Sequence, residues 1–220
     1  MTEVYLIRHS VRLKTNKIDE YNTNQDNLLK NEKIILNVDG EKRAEILSNE
    51  SELQNIDVVY CSNLVRTIAT AKYLCEKQNL NINIDDRFDE RRVGIPNSNQ
   101  YPDWFQRQYF DENYKTINGE SQKEVRDRFN EAFNEVISKN KNKRIAIFTH
   151  GYAITFFLLK WCKLIDVTDE QVLTIEFNNR ILFSKRLNAP EVFKLTLNDD
   201  LELTNIELIE FEDLPYMQGV

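Results

Sequence analysis

Cysteine, histidine and glycine are scarce in this chain of 220 residues, at three, two and five. The cysteines, Cys61, Cys75 and Cys162, are odd in number, dispersed and without a C-x-x-C pair. That pattern argues against a disulfide frame or a thiolate zinc site and points to reduced thiols and a cytoplasmic location. With two histidines, a metal site would depend on carboxylates. The densest acidic cluster, Asp85, Asp86, Asp89 and Glu90, lacks the spacing of a calcium loop, so no metal is expected. The glycines form neither a P-loop nor a dinucleotide fingerprint, and no cofactor is expected. No apolar run nears the ~20 residues of a membrane span, and the one at 4–7 is too brief for a signal-peptide core. Basic runs are also missing, and a net charge of -7 argues against a nucleic-acid or anionic-membrane face.

What is present is the composition of a folded protein, 41% hydrophobic and 30% charged, at a length that suits one domain over residues 1–220. Residues 4–7 are apolar without alternation and read as a fully buried strand ending at Arg8-His9. The stretch 15–37 is polar and reads as a long loop. Asp39-Gly40 opens a helical pattern with Ala44, Leu47 and Leu53 toward a core, and a strand follows at 56–60. Leu64, Ile68, Ala71 and Cys75 recur at helical spacing, Ser62 is placed to cap that helix, and Arg66 falls in its first turns.

Further on, a short strand is predicted at 82–84 and an aromatic helix at 104–110. Ser121 and Glu124 make a capping box for a helix bearing Val125, Phe129, Phe133 and Val136. Residues 144–148 repeat the first pattern: an apolar strand ending at Thr149-His150-Gly151, then a buried helix through Ile154, Phe157, Leu158 and Trp161. Strands near 172–177, 181–183, Phe193 and Leu203 complete the sheet and cover an edge. Alternating strands and helices predict a three-layer α/β/α sandwich with a mostly parallel central sheet.

Three predicted strands therefore end in unusual polar residues: His9, then Ser62 with Arg66, then His150. Ligands of open α/β sheets bind beyond the carboxyl ends of the strands, so these residues are predicted to share one cleft. Arg66 and Gly151 fall near helix N-termini, whose free N–H groups favour an anion, and phosphate suits the set.

The order of motifs resembles the histidine phosphatase superfamily, also called phosphoglycerate mutase-like. The segments that carry the likeness are Arg8-His9-Ser10, the stretch 36–44 with Gly40 and Ala44, and Ser62-x-Leu64-x-Arg66-x-x-x-Thr70-Ala71. They continue with Arg87-Phe88-Asp89-Glu90-Arg91 followed by Gly94, Gly119-Glu120-Ser121, and Thr149-His150-Gly151. The third is the strongest single match, and the order of the whole set is specific.

The resemblance implies that His9 is the nucleophile, that Arg8, Arg66 and His150 clamp a phosphate, and that Glu90, rather than its neighbour Asp89, is the proton donor. Arg12 stands where some branches of the family carry a further phosphate-binding arginine. Guanidinium groups suit that task because their planar donors match phosphate oxygens and stay charged. The chain departs from the pattern at Ser10, where glycine is usual; a side chain there either crowds the phosphate or donates to it. Family mutases carry a longer insertion than the stretch 91–149 can hold, which favours hydrolysis of a small phosphorylated substrate over mutase transfer. A phosphate-binding protein without turnover is the third reading. Tyr101, Trp104, Phe105, Tyr109 and Phe110 either wall a substrate pocket or pack on the core. Oligomeric state stays open.

Overall fold

The computed structural model describes residues 1–14, 30–94 and 103–217. Most of the predicted polar loop, and Tyr101, lie outside these residues. The central sheet has six strands in the order β3-β2-β4-β1-β8-β9. Its strands are β1 (Thr2–Arg8), β2 (Val58–Cys61), β3 (Ile82–Ile84), β4 (Arg144–Thr149), β8 (Val192–Leu197) and β9 (Leu203–Ile209). The first four pair in parallel, whereas β8 and β9 join antiparallel at the β1 edge.

The absence of alternation in β1 is explained by cover on both faces. Val4, Leu6, Ile145 and Ile147 pack with helices α4 (Gln122–Lys139) and α5 (Gly151–Leu158). Tyr5, Ile7, Ala146 and Phe148 point the other way, to α1 (Val38–Asn49) and α2 (Val65–Gln78), as the two-residue period of a strand requires. On the first face Phe129 stacks on Phe157 with ring centroids 4.4 Å apart, an arrangement worth about 1 kcal/mol beyond simple burial. The capping box at Ser121 and Glu124 is present, with both reciprocal hydrogen bonds.

Four expectations need correction. Strands β5 (Lys163–Val167), β6 (Leu173–Phe177) and β7 (Arg180–Lys185) do not extend the central sheet; they form a separate antiparallel sheet of three. Leu53 lies in a 3-10 turn after α1 rather than in the helix itself, and α5 ends at Leu158, before Trp161. Ser62 is not the N-cap of α2: the helix begins at Val65 with Leu64 as N-cap, and the Ser62 hydroxyl accepts from Leu64 N at 3.3 Å while bonding Thr67 and His150. Of the aromatic residues in helix α3 (Trp104–Phe110), Phe105 and Tyr109 pack against the core and only Phe110 is exposed.

Candidate active site

Strand register alone brings the key residues together. Arg8 pairs with Thr149 and Cys61 with Phe148, so the ends of β2, β4 and β1 lie level. The next residues, Ser62, His150 and His9, therefore stand side by side; His9 N donates to Thr149 O at 2.9 Å and Ser62 N to Phe148 O at 3.0 Å. The imidazoles of His9 and His150 meet edge to face with centroids 5.1 Å apart. Both residues are buried. Burial, then the charges of Arg66 and Arg8, hold His9 well below the ordinary histidine value, with a smaller push from Arg12. His150 is likewise well below it, through burial, Arg66 and His9.

Hydrogen bonds orient both rings. His9 Nδ1 lies 2.7 Å from Ser10 O, a carbonyl that can only accept, so Nδ1 carries the proton and Nε2 keeps its lone pair. His150 Nε2 lies 2.8 Å from Ser62 Oγ, while its Nδ1, fully buried, makes no hydrogen bond among the described residues.

The arginines come from three elements. Arg66, in the first turn of α2, is buried, and its Nη1 donates to Asn31 O at 2.9 Å. Arg8, at the end of β1, donates from Nη1 to Leu187 O at 2.7 Å and Asn188 O at 2.9 Å. Its side chain lies under Gly151, where a Cβ would come within 3.4 Å of Nε. Arg12 is half-buried and bridges to Leu36.

Glu90 follows a 3-10 turn at Asp86–Phe88, anchored by the fully buried Phe88. Its Oε1 accepts from Arg91 N at 2.9 Å and from Ala153 N at 3.2 Å, so the carboxylate sits on the first turn of α5, the helix that His150 caps. Oε2 makes no hydrogen bond among the described residues. Asp89 turns away, accepting from Asn63 N at 2.7 Å, and burial pushes it up to about 7. Ser10 is fully buried with an ordinary backbone φ, so the side chain in place of glycine brings no backbone strain; its hydroxyl finds no partner among the described residues.

Sequence reasoning overlooked the supports behind this group. Glu191 and Asn188 stand next to Arg8: Arg8 N donates to Glu191 O at 2.9 Å, and Glu191 Oε2 accepts from Asn188 N at 2.6 Å. Arg43 in turn holds this segment through Ala189 O at 2.6 Å and Asn188 Oδ1 at 3.0 Å. The only local signal was the turn composition of Asn188-Ala189-Pro190.

A family model described as "Histidine phosphatase superfamily (branch 1)" matches residues 4–180. The chain belongs to the histidine phosphatase superfamily. Phosphoserine phosphatase 1 of Hydrogenobacter thermophilus is 30% identical over 120 residues. The match spans 50% of this chain and 56% of that protein, little more than half its length. Two solved structures share the fold at low identity. YhfR of Bacillus stearothermophilus superposes with TM-score 0.66 at 16% identity, covering 93% of this chain and 95% of its own. Mycobacterial glucosyl-3-phosphoglycerate phosphatase, solved with inorganic phosphate, gives 0.65 at 15%, covering 95% and 96%.

Proposed function

We propose that this chain, acting as one domain, is a metal-independent phosphatase that hydrolyses a small alkyl phosphate monoester through a phosphohistidine on His9. The observation that carries the reading is the His9 ring itself: Nδ1 is bound to Ser10 O and the surrounding burial and arginine charge keep the ring neutral, which leaves Nε2 as a nucleophile.

In the first step Nε2 attacks phosphorus in line and the ester P–O bond breaks. Glu90, carrying a proton, gives it to the leaving oxygen. Arg8, Arg12, Arg66 and His150 neutralise the charge on the equatorial oxygens. Ser62 Oγ holds the His150 ring through Nε2 at 2.8 Å, which leaves Nδ1 as the ring nitrogen available to the phosphate. In the second step water attacks the phosphohistidine, Glu90 takes its proton, the N–P bond breaks, and orthophosphate leaves with His9 neutral again.

Several relatives are named as phosphatases, two of them after phosphorylated organic acids, which supports water as the acceptor and makes O-phosphoserine the first substrate to try. Reduced, buried thiols at Cys61, Cys75 and Cys162 support a cytoplasmic setting, and no helix among the described residues is long and apolar enough to cross a membrane.

The test is phosphate release from O-phosphoserine and p-nitrophenyl phosphate by wild type and His9→Ala, with acid quenching to trap phosphoenzyme. Wild type should release phosphate and carry an acid-labile phosphoryl group, and His9→Ala should do neither. Full activity in the variant would overturn the reading.

A further inference from the structure

Behind Glu90 lies an ion pair that the reaction itself does not use. Arg128, on α4, meets Glu120 at two points, Nε to Oε1 at 3.0 Å and Nη2 to Oε2 at 3.1 Å. The pair is largely buried, with 20% and 10% of the two side chains exposed. The rest of the guanidinium is turned on the backbone of the loop that carries Glu90. Nη1 donates to Arg87 O at 2.8 Å and Asp89 O at 2.9 Å, and Nη2 to Glu90 O at 3.3 Å. The remaining carbonyl, Phe88 O, accepts from Thr149 Oγ1 at 2.6 Å. Every carbonyl from Arg87 to Glu90 is thus bound, three of them by one guanidinium and the fourth by the residue that precedes His150.

Glu120 closes the loop from its other side. Its Oε2 accepts from Arg92 N at 2.8 Å, its own N donates to Arg92 O at 2.8 Å, and its carbonyl accepts from Arg91 Nε at 2.9 Å. One Glu–Arg unit therefore grips the chain on both flanks of Glu90. A lysine cannot replace it, because an ammonium is a point donor and lacks the planar fork that reaches carboxylate and carbonyls together.

We propose that Arg128, oriented by Glu120, is a positioning residue for proton transfer by Glu90. The inference rests on the assignment of Glu90 as proton donor and goes beyond it. Proton transfer requires a donor within about 3 Å of the leaving oxygen, and a displacement of about 1 Å can cost on the order of a hundredfold in rate. A loop released from Arg128 keeps the Glu90 carboxyl group but loses that placement.

The experiment separates positioning from a general structural role by the chemistry of the leaving group. An alkoxide leaving from O-phosphoserine needs a proton; p-nitrophenolate departs without one. Phosphorylation of His9 by each substrate is followed in a single turnover for Arg128→Lys and Glu120→Gln, with Glu90→Gln as reference. The p-nitrophenol burst amplitude counts the folded sites, so loss of folded protein is separated from slowed chemistry.

Arg128→Lys should slow phosphorylation by O-phosphoserine about 10- to 100-fold while leaving the aryl substrate within about threefold of wild type. Glu90→Gln should show the same split, more strongly. Equal losses on both substrates, or no loss, in Arg128→Lys beside a split in Glu90→Gln would overturn the positioning role and leave the proton donor standing. No split in Glu90→Gln would overturn the donor assignment and this inference with it. Should Arg128→Lys fail to fold, Glu120→Gln carries the same comparison with the same outcomes.

Discussion

His150 Nε2 and Ser62 Oγ lie 2.8 Å apart, a bond between the ends of two neighbouring parallel strands. It fixes the ring that faces His9 and leaves Nδ1 as the nitrogen without a hydrogen bond among the described residues. Ser62→Ala removes that partner and leaves a buried ring nitrogen unsatisfied, so it should cost about 1–2 kcal/mol of stability and lower kcat/KM about tenfold. Denaturant titration and steady-state kinetics with O-phosphoserine measure both. An unchanged kcat/KM would mean that His150 needs no second-strand support.

The chain has only two histidines, so its imidazole NMR signals can be followed individually. Burial and arginine charge lower both, so neither should titrate at the ordinary value of about 6.5. Both rings should stay neutral as pH falls through 6.5 and protonate only well below it. On the proposed mechanism, a His9 that is neutral in this range stays competent in mildly acidic solution. A midpoint at or above 6.5 for His9 would contradict the electrostatic account of its activation.

Gly40, on α1, faces the backbone just beyond His9. A Cβ there would overlap the carbonyl oxygen of Val11, which accepts from Asn37 N at 3.0 Å. Backbone cannot yield as a side-chain tip can, so Gly40→Ala should destabilise the fold by about 3 kcal/mol or force the loop at residues 9–12 to move. Thermal unfolding and phosphate-release assays report on the two outcomes. A variant with wild-type stability and activity would show that α1 does not fix this loop.

Asp89 links stability to pH with a definite sign. Its value is raised to about 7 by burial, against about 3.9 in an unfolded chain. Between those values the folded state holds a proton that the unfolded state has released, so this residue makes folding less favourable as pH rises from about 4 to 7. Asp89→Asn keeps an acceptor for Asn63 N and carries no charge. The variant should match wild type near pH 4 and exceed it above pH 7 by on the order of 2 kcal/mol. Urea midpoints at the two pH values test this, and a variant less stable at high pH would reverse the assignment.

Much of this arrangement was legible in the chain. Residues 4–7 and 144–148 are apolar without alternation because both sheet faces are covered, and that pattern located β1 and β4 and hence the two histidines at their ends. The capping box at Ser121 and Glu124 is a local device with a local signature, and it formed as read. The separate sheet at β5–β7 was not legible, because strand periodicity says which face is buried and nothing about which strand is the neighbour.

By itself, the sequence determined the elements and the order in which His9, Arg66, Glu90 and His150 follow them, since periodicity, caps and turn residues act over a few positions. Tertiary structure alone decided that Ser62 bonds His150 instead of capping its helix, that Asn188 and Glu191 flank Arg8, and that Arg128 holds the carbonyls around Glu90. Those contacts join residues far apart in the chain through hydrogen bonds whose partners depend on register and burial. A buried polar group must find a partner, but only the packed fold says which one is within reach.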